Sequence, residues 1–491
     1  LRAIAEVPEH LVTKLPGLEE PLATRHWSGY VNVQIPELGS NISVHYWLFE
    51  SKKGLLNAPT SVWHNGGPGA SSMMALFTEN GPFTLNDQSF KTARYNESKI
   101  PSVFLNEFSW HTEANMLYVD HPAPAGFSDC TPSCPHWNDS TQAIVNSRFL
   151  EEFFGSLYPE LQSLPFFMSG ESYAGVLIPT TALLLLEARD SKYKNVKNVP
   201  APYNLEGIAL GNACPGNRIF TCTPYSGWLG VKVAVDFRYG HGMISPQTYE
   251  LLQEACKADW NKYGPPENAT CREILGDDPA RPVMDEAGDT YQMGGGYFLY
   301  DHCGSDLLSV DPETGMPRQK DQTMDGVSLF DGNDDDDFDT NVYKCGQERA
   351  ALAWIQLAEV QDAIHVERKP DFSFVTGLNY TFTKYSLLDE YKDTLSQRLR
   401  VMQYSGDADP CVPYVGTRRW IDGLGLPVKS AWKPWTLSGQ VAGYRTVYQG
   451  GDDNTFTFTT IRNAGHMVPR HQPQEALHLF SRFLADEDLV G

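Results

Sequence analysis

The sequence predicts an α/β fold, in which a mostly parallel central sheet is flanked by helices and interrupted by a large inserted cap region. Three observations support this prediction. Short apolar strands alternate with helices of about 15 residues early in the chain, the alternation stops in the middle, and it resumes near the C-terminus. We therefore expect a core in two parts, 1–212 and 397–491, with an inserted cap or lid at 213–396.

The two parts of the core contain the clearest strand and helix signals. Short apolar runs bounded by polar or small residues indicate buried strands, and the longer segments between them have the periodicity of helices. In the first part the predicted strands are 43–50, 60–64, 114–120, 166–169 and 204–210, and the predicted helices are 141–158 and 173–188. In the second part the predicted strands are 399–404 and 455–461, and the predicted helix is 474–484.

Composition and charge exclude several classes of protein. The 491 residues are 41% hydrophobic and 20% charged, which suits a packed core rather than a disordered chain. A net charge of −23 argues against binding to nucleic acid or to an anionic membrane surface. The longest apolar run, near 176–186, is much shorter than the roughly 20 residues of a membrane-spanning helix. The oligomeric state is left open.

Cysteines and glycosylation sequons favour an oxidising, secretory route to a secreted or vacuolar, lysosome-like location. There are nine cysteines, and no Cys or His spacing fits a zinc site. The acidic run 334–337 does not match a calcium loop, so we expect no metal. No apolar segment of a signal peptide opens the chain, which we interpret as a processed form. The candidate glycosylation sites are Asn41, Asn96, Asn138, Asn268 and Asn379.

The segment Gly-Glu-Ser-Tyr-Ala-Gly at 170–175 carries the strongest chemical signal. It lies between a predicted strand and a predicted helix, with small residues two places before and two places after Ser172. A sharp strand-to-helix turn has room only for small residues there, and it exposes the central serine at the carboxyl edge of the sheet. Helix N–H groups can then stabilise an oxyanion. The pattern predicts Ser172 as a nucleophile, although Ala174 replaces the second flanking glycine of the plain motif.

A serine nucleophile needs a base and an acid that orients the base. Asp409 and His466 each follow a predicted strand of the second part, where functional residues gather at the sheet edge. The order Ser172, Asp409, His466 is that of an α/β-hydrolase, so we predict that fold with these residues as the catalytic triad. Asp407 is the competing acid and is expected to brace the loop.

A glycine-rich segment at 63–72 follows the predicted strand 60–64. Backbone N–H groups in such a loop can point at an oxyanion or a carboxylate. Taken alone, this segment would be interpreted as a tight glycine turn with a structural role. Together with the serine turn, we interpret it as part of the site.

Four segments resemble the signature blocks of the serine carboxypeptidase family: 63–72, 170–175, 406–413 and 465–469. The resemblance spans about residues 10–485 and is weakest in the insertion. Length and sequons resemble those of fungal secreted or vacuolar members. The resemblance implies hydrolysis of the C-terminal peptide bond of peptides and proteins, best at acidic pH, through an acyl-enzyme on the serine and without a cofactor.

The resemblance also implies roles for individual residues. Gly67 and Tyr173 would donate the oxyanion N–H groups, and Met467 would line the pocket of the leaving residue. The residues implied to bind the free C-terminal carboxylate of the substrate are Trp63, Asn65, Glu79 and Glu171. Two close glutamates would share a proton in acid, and the protonated one would donate a hydrogen bond to that carboxylate.

The sequence departs from the family pattern in its cysteines. Ala70 stands where the family usually has a cysteine in the glycine loop, so the family's pairing does not carry over. Cys256 and Cys271, which are near each other in the chain, are the first expected pair. Cys411 lies one residue before the position at which some relatives carry a free thiol, so the resemblance assigns it no role.

An acyltransferase or an esterase on the same scaffold is the alternative function, because either would keep the triad. Retention of Asn65, Glu79 and Glu171 favours a carboxypeptidase over both. A non-enzymatic binding protein would be expected to lose the serine or the histidine. The preferred side chains on either side of the cleaved bond are not indicated.

Overall fold

The computed structural model describes residues 7–196, 199–216, 219, 228–260, 267–275, 296–301, 303, 309–310, 317–318, 344–451 and 453–489. Its strands are β1 His26–Ile35, β2 Ser40–Phe49, β3 Thr60–His64, β4 Phe83–Thr84, β5 Phe104–Leu105, β6 Asn115–Val119, β7 Asp129–Thr131, β8 Trp137–Asn138, β9 Phe166–Glu171, β10 Leu205–Gly211, β11 Ser309–Val310, β12 Pro317–Arg318, β13 Tyr380–Thr381, β14 Arg400–Gly406, β15 Val428–Leu437, β16 Gln440–Gln449 and β17 Thr455–Ile461. Its α-helices are α1 Met73–Thr78, α2 Ala93–Ser98, α3 Asp139–Glu152, α4 Ala174–Tyr193, α5 Trp228–Gly240, α6 Pro246–Ala255, α7 Ala269–Leu275, α8 Gln347–Ile355, α9 Ala358–Ala363, α10 Leu388–Glu390, α11 Ser396–Arg398, α12 Tyr414–Gly423, α13 Val468–His471 and α14 Pro473–Ala485.

Eleven strands form one large sheet with the order β1-β2-β6-β3-β9-β10-β14-β17-β16-β15, and β7 pairs with β2. The six inner strands, from β6 to β17 in this order, are parallel, whereas the outer strands are antiparallel. Every residue of β3, β6 and β9 is buried. Strands covered on both faces are rich in apolar residues, and the short apolar runs within these strands are the signal that predicted them. The predicted mostly parallel sheet is confirmed.

Helices cover both faces of the sheet. On one face α3 and α4 pack side chains such as Phe149 and Ile178 into a core cluster. On the other face α1, α8 and α14 contribute Leu76, Trp354 and Phe480 to a second cluster. The sheet therefore separates two hydrophobic cores, as expected for strands joined by helical crossovers.

The helix predicted at 141–158 differs from the observed one at both ends. It begins at Asp139, because the Asn138 side chain accepts hydrogen bonds from the N–H groups of Ser140 and Thr141 and so caps the helix. The α-helix ends at Glu152 and continues as a π turn over Phe153–Leu157.

Part of the predicted insertion packs into the core. Helix α8 lies against α1, with the rings of Phe77 and Trp354 5.2 Å apart. The division at 213–396 stays a prediction, and the acidic run 334–337 lies outside the described residues. None of the helices in the described ranges is long and apolar enough to cross a membrane.

Candidate active site

Ser172 stands in a sharp turn between β9 and α4. Its φ is +60°, a left-handed conformation that is strained for a residue with a side chain. The Ser172 N–H donates to Gly211 O at 3.0 Å, and the Cys214 N–H donates to Ser172 O at 3.1 Å. These bonds tie the turn to the end of β10, which supports the strained backbone.

Gly170 and Gly175 flank this turn, and both have backbone packed against them. A Cβ on Gly170 would lie 2.3 Å from His64 O, and a Cβ on Gly175 would lie 2.5 Å from Cys214 O. Larger residues would push the turn away from the neighbouring chain. Close packing therefore explains the small flanking residues, as the turn motif predicts.

Asp409 and His466 form a buried pair at the ends of β14 and β17. Asp409 Oδ2 lies 2.8 Å from His466 Nδ1. The same oxygen accepts a hydrogen bond from Asn212 Nδ2 at 2.7 Å, and Asp409 Oδ1 accepts one from the Cys411 N–H at 2.8 Å. The carboxylate is thus fixed in orientation by several donors. Sequence reasoning missed Asn212, whose one signal was a polar residue directly after β10.

Asp407 has a different partner from Asp409. Its Oδ1 accepts a hydrogen bond from the Asn463 N–H at 2.7 Å, and its own N–H donates to Ile461 O at 3.0 Å. Asp407 therefore ties the loop after β14 to the loop after β17, which is the bracing position expected for it.

The glycine-rich loop lies directly against the serine turn. A Cβ on Gly66 would lie 2.5 Å from Tyr173 N and 2.7 Å from Ser172 Cβ, so only glycine allows this approach. Gly67 follows with a φ of +105°. Within the described part of the chain, the N–H groups of Gly67 and Tyr173 have no hydrogen-bond acceptor. Both donors remain available to a group bound at Ser172.

Asp120 anchors the far end of the glycine-rich loop. Its Oδ1 accepts from Ser71 Oγ at 2.6 Å and from the Ser72 N–H at 3.1 Å. Its Oδ2 accepts from the Phe127 N–H at 3.1 Å and lies 3.0 Å from His45 Nδ1. All four carboxylate contacts are buried, so this network fixes the loop beside Ser172.

Asp120→Asn is expected to lower the free energy of unfolding by about 2–4 kcal/mol, because an amide NH2 would face donors that now meet a carboxylate oxygen. Denaturant unfolding measures the effect. Asp129→Asn is the matched control, since Asp129 is exposed and its Oδ1 accepts the Cys130 N–H, a bond that asparagine keeps. Equal unfolding midpoints for the two variants would contradict this role of Asp120.

Trp63, Asn65, Glu79 and Glu171 lie together beside the serine turn. Trp63 Nε1 donates to Asn65 Oδ1 at 2.8 Å, and Asn65 Nδ2 donates to Glu171 Oε1 at 3.0 Å. Glu79 and Glu171 are each only 4% exposed. Both Glu79 carboxyl oxygens and Glu171 Oε2 lack a hydrogen-bond donor among the described residues. Buried carboxyl oxygens without donors are costly unless a proton or a ligand serves them.

Burial raises the pKa of Glu79 and of Glu171 above the ordinary glutamate value. The neighbouring Glu79 raises the pKa of Glu171 further, because two negative charges repel in a confined space. A proton on either carboxyl group removes this repulsion. The pair is therefore built to hold a proton in acid and to lose it as the pH rises.

A segment of the predicted insertion packs over the histidine loop. Tyr297 O accepts a hydrogen bond from the His466 N–H at 2.6 Å, and the Leu299 N–H donates to Ala408 O at 3.0 Å. The Phe298 ring lies 4.3 Å from that of His471. These contacts were not predicted, because the irregular sequence of the insertion gives no sign of its neighbours.

The cysteines agree with the first expected pairing. Cys256–Cys271 is a disulfide, which confirms that expectation, and the structure adds Cys130–Cys134 and Cys303–Cys345. Cys411 is a free thiol. Burial and the nearby Asp409 raise the pKa of the Cys411 thiol, which keeps it protonated and unreactive.

The other predicted positions differ in exposure. Met467 is 8% exposed and contacts Arg470 Nη1 through its sulfur at 3.9 Å. Asn138 is half-buried, with its side-chain oxygen occupied as the cap of α3. The candidate glycosylation sites that are exposed are Asn41, Asn96, Asn268 and Asn379.

A strained serine after one parallel strand, with a buried Asp–His pair after two neighbouring strands, is the arrangement of an α/β-hydrolase. The family model described as serine carboxypeptidase matches residues 16–486. The chain belongs to the serine carboxypeptidase family and is accordingly a hydrolase of the serine carboxypeptidase class.

Individual relatives agree with this family over nearly the whole chain. Serine carboxypeptidase-like 20 of Arabidopsis thaliana is 32% identical over 495 residues, which cover 96% of this chain and 92% of the relative. Serine carboxypeptidase 1 of Hordeum vulgare is 29% identical over 505 residues, which cover 97% and 93% respectively.

Among solved structures, Kex1Δp, a prohormone-processing carboxypeptidase from Saccharomyces cerevisiae, superposes with a TM-score of 0.68 at 20% identity. The match covers 98% of this chain and 96% of that chain. At this identity the likeness concerns the fold, and it agrees with the predicted α/β-hydrolase architecture.

Proposed function

We propose that this enzyme hydrolyses the C-terminal peptide bond of peptides and proteins and works best in acid. The observation that carries the proposal is the buried Glu79–Glu171 pair beside Ser172, with carboxyl oxygens that no described donor serves. A site that must admit the free carboxylate of a chain terminus needs donors there. A protonated glutamate supplies one, and Asn65 supplies another.

The proposed chemistry is acyl transfer through Ser172. His466 takes the hydroxyl proton as Ser172 Oγ attacks the carbonyl carbon of the last peptide bond, and the N–H groups of Gly67 and Tyr173 stabilise the oxyanion. His466 then gives the proton to the departing amine. Water hydrolyses the acyl-enzyme with His466 again as the base, while Asp409 holds the imidazole in the required tautomer.

Substrate recognition is assigned to the carboxylate site. Trp63 donates a hydrogen bond to Asn65, and Asn65 donates one to Glu171. These three side chains therefore form one hydrogen-bonded chain beside Glu79. Met467 is assigned to the pocket of the released residue. Recognition of a free carboxylate separates this proposal from an esterase or an acyltransferase, which would use the same triad without needing two buried acids.

We expect Glu79→Gln/Glu171→Gln to remove most of the pH dependence of KM for a free-acid peptide. In the wild type the raised pKa values keep the pair protonated in acid, and ionisation at higher pH adds negative charge that repels the substrate. KM should therefore rise with pH in the wild type, by about tenfold per pH unit at most above the pair's pKa. Amides do not titrate, so the double variant should show a flat profile.

The C-terminal amide of the same peptide is the matched substrate for this test, because it carries no carboxylate. Its KM should change little with pH in either enzyme. An unchanged pH profile for the free acid in the double variant would overturn the role of the glutamates. Equal rates for acid and amide in the wild type would favour the esterase or acyltransferase alternative.

We also propose that the protein passes through the secretory pathway. Support comes from disulfides such as Cys130–Cys134, Cys256–Cys271 and Cys303–Cys345, which need an oxidising compartment to form. Four of the five sequons have exposed asparagines, which glycosylation requires. Endoglycosidase treatment of the protein from its natural source should reduce its mass if those sites are used.

A further inference from the structure

Arg470 is a buried cation next to the proposed carboxylate site, and the chemistry described above does not use it. It lies in α13, four residues after His466, and is only 5% exposed. Its Nη1 forms an ion pair with Glu348 Oε1 at 2.5 Å and contacts the Met467 sulfur at 3.9 Å. A guanidinium keeps its positive charge at any accessible pH, so it affects the protonation of nearby titratable side chains.

The helix that carries Glu348 packs on the helix that leads into Glu79, and Arg470 lies in the short helix that follows His466. Glu79 directly follows α1, and α8, which carries Glu348, packs on α1. Helix α13 begins two residues after His466. Arg470 lowers the pKa of both Glu79 and Glu171, against the larger upward effect of burial. The buried arginine and the two glutamates are therefore coupled electrostatically within one site.

Other charged and titratable groups also face the glutamate pair. His466 lowers the pKa of Glu79, and Asp409 raises that of Glu171. The remaining two groups, Tyr118 on β6 and Tyr404 on β14, are buried, and burial raises their pKa values so that they stay neutral. Arg470 is thus a permanent positive charge among neighbours that are neutral, negative or titratable.

We propose that Arg470 is a positioning residue for specificity, which together with Glu348 sets the pH above which the Glu79–Glu171 pair stops accepting a substrate carboxylate. The inference rests on the proposed function of that pair. Arg470 favours loss of the shared proton, and Glu348 offsets part of this effect by neutralising the arginine. The two residues act in opposite directions on the same upper pH limit.

Replacing Arg470 and replacing Glu348 should shift the upper limb of the pH profile in opposite directions. Arg470→Met removes the positive charge, so the pair should hold its proton to higher pH. The upper limb of the pH profile of kcat/KM for a free-acid peptide should move up by about half to one pH unit. Glu348→Gln leaves the arginine unopposed, and the same limb should move down by a similar amount. The double variant should lie between the two single variants.

The C-terminal amide of the peptide and the variant Arg349→Met serve as controls. The amide lacks the carboxylate, so its profile does not report the protonation of the glutamate pair. Arg349 is the exposed neighbour of Glu348 on α8 and pairs with Asp87, so its replacement should leave the free-acid profile unchanged. Mere disturbance of α8 or α13 would change rates at every pH instead of moving one limb.

Three results would overturn the inference. The first is an upper limb of the kcat/KM profile that coincides with that of the wild type in both single variants. The second is a shift in the same direction in both single variants. The third is an equal shift for the free acid and the amide. Failure of the proposed function would look different, because the wild type itself would then show no preference for the free acid.

Discussion

Ser172→Ala is expected to lower kcat on a free-acid peptide by about 10⁴–10⁶-fold, because the variant has no nucleophile and leaves only binding and the oxyanion donors. The rate of release of the last residue measures this loss. The variant should still bind the peptide, since Asn65, Glu79 and Glu171 are unchanged. Binding without turnover can be followed by calorimetry or by competition with a substrate of the wild type.

Ser169→Ala is the matched control for that experiment. Ser169 is also a buried serine, three residues before Ser172 within β9, where it hydrogen-bonds Ser61 and donates to Val62 O. Its loss should lower stability slightly and leave kcat close to that of the wild type. A Ser172→Ala enzyme that retained most of its activity would contradict the acyl-enzyme mechanism.

Asp409→Asn is expected to lower kcat by about 10³–10⁴-fold, the second largest effect. Asp409 accepts hydrogen bonds from Asn212, Cys411 and Val412 as well as facing His466 Nδ1. An asparagine amide there would place a donor against Nδ1 of the imidazole. It would favour the tautomer in which Nε2 already carries a proton. That tautomer cannot accept the proton of the serine hydroxyl.

Asp407→Asn provides the comparison, because the two aspartates stand two residues apart in the same loop. Asp407 accepts the Asn463 N–H, a bond that an asparagine oxygen preserves. Its kcat should stay close to that of the wild type, with at most a small change in unfolding temperature. If Asp407→Asn were the more damaging change to kcat, the assignment of the acid would be wrong.

The parts of the fold that the sequence predicted share one physical property. Strands such as β3 and β9 are buried along their whole length, and each contains a short apolar run, Val62–Trp63 in β3 and Phe166–Met168 in β9. The long outer hairpin of β15 and β16 was missed. Most of β15 is exposed or half-buried and contains Pro434, because it forms the edge of the sheet, and such a strand lacks a clear apolar signature.

The same reasoning explains which site residues were found. Ser172 and its flanking residues form a local turn motif, so their chemistry is readable from spacing. Asn212 supports Asp409 from 197 positions away, and Glu348 pairs with an arginine 122 positions away. Contacts of that kind depend on how the strands and helices assemble, and no local pattern encodes them.

The proposed function requires the removal of single residues from a free C-terminus. The most direct measurement is mass spectrometry of a peptide and its C-terminally amidated twin, each incubated with the wild-type enzyme at about pH 4.5, near the ordinary pKa of a glutamate. We predict that the free acid loses its last residue, and then successive residues, while the amide remains largely intact. Internal cleavage, or equal shortening of both peptides, would contradict it.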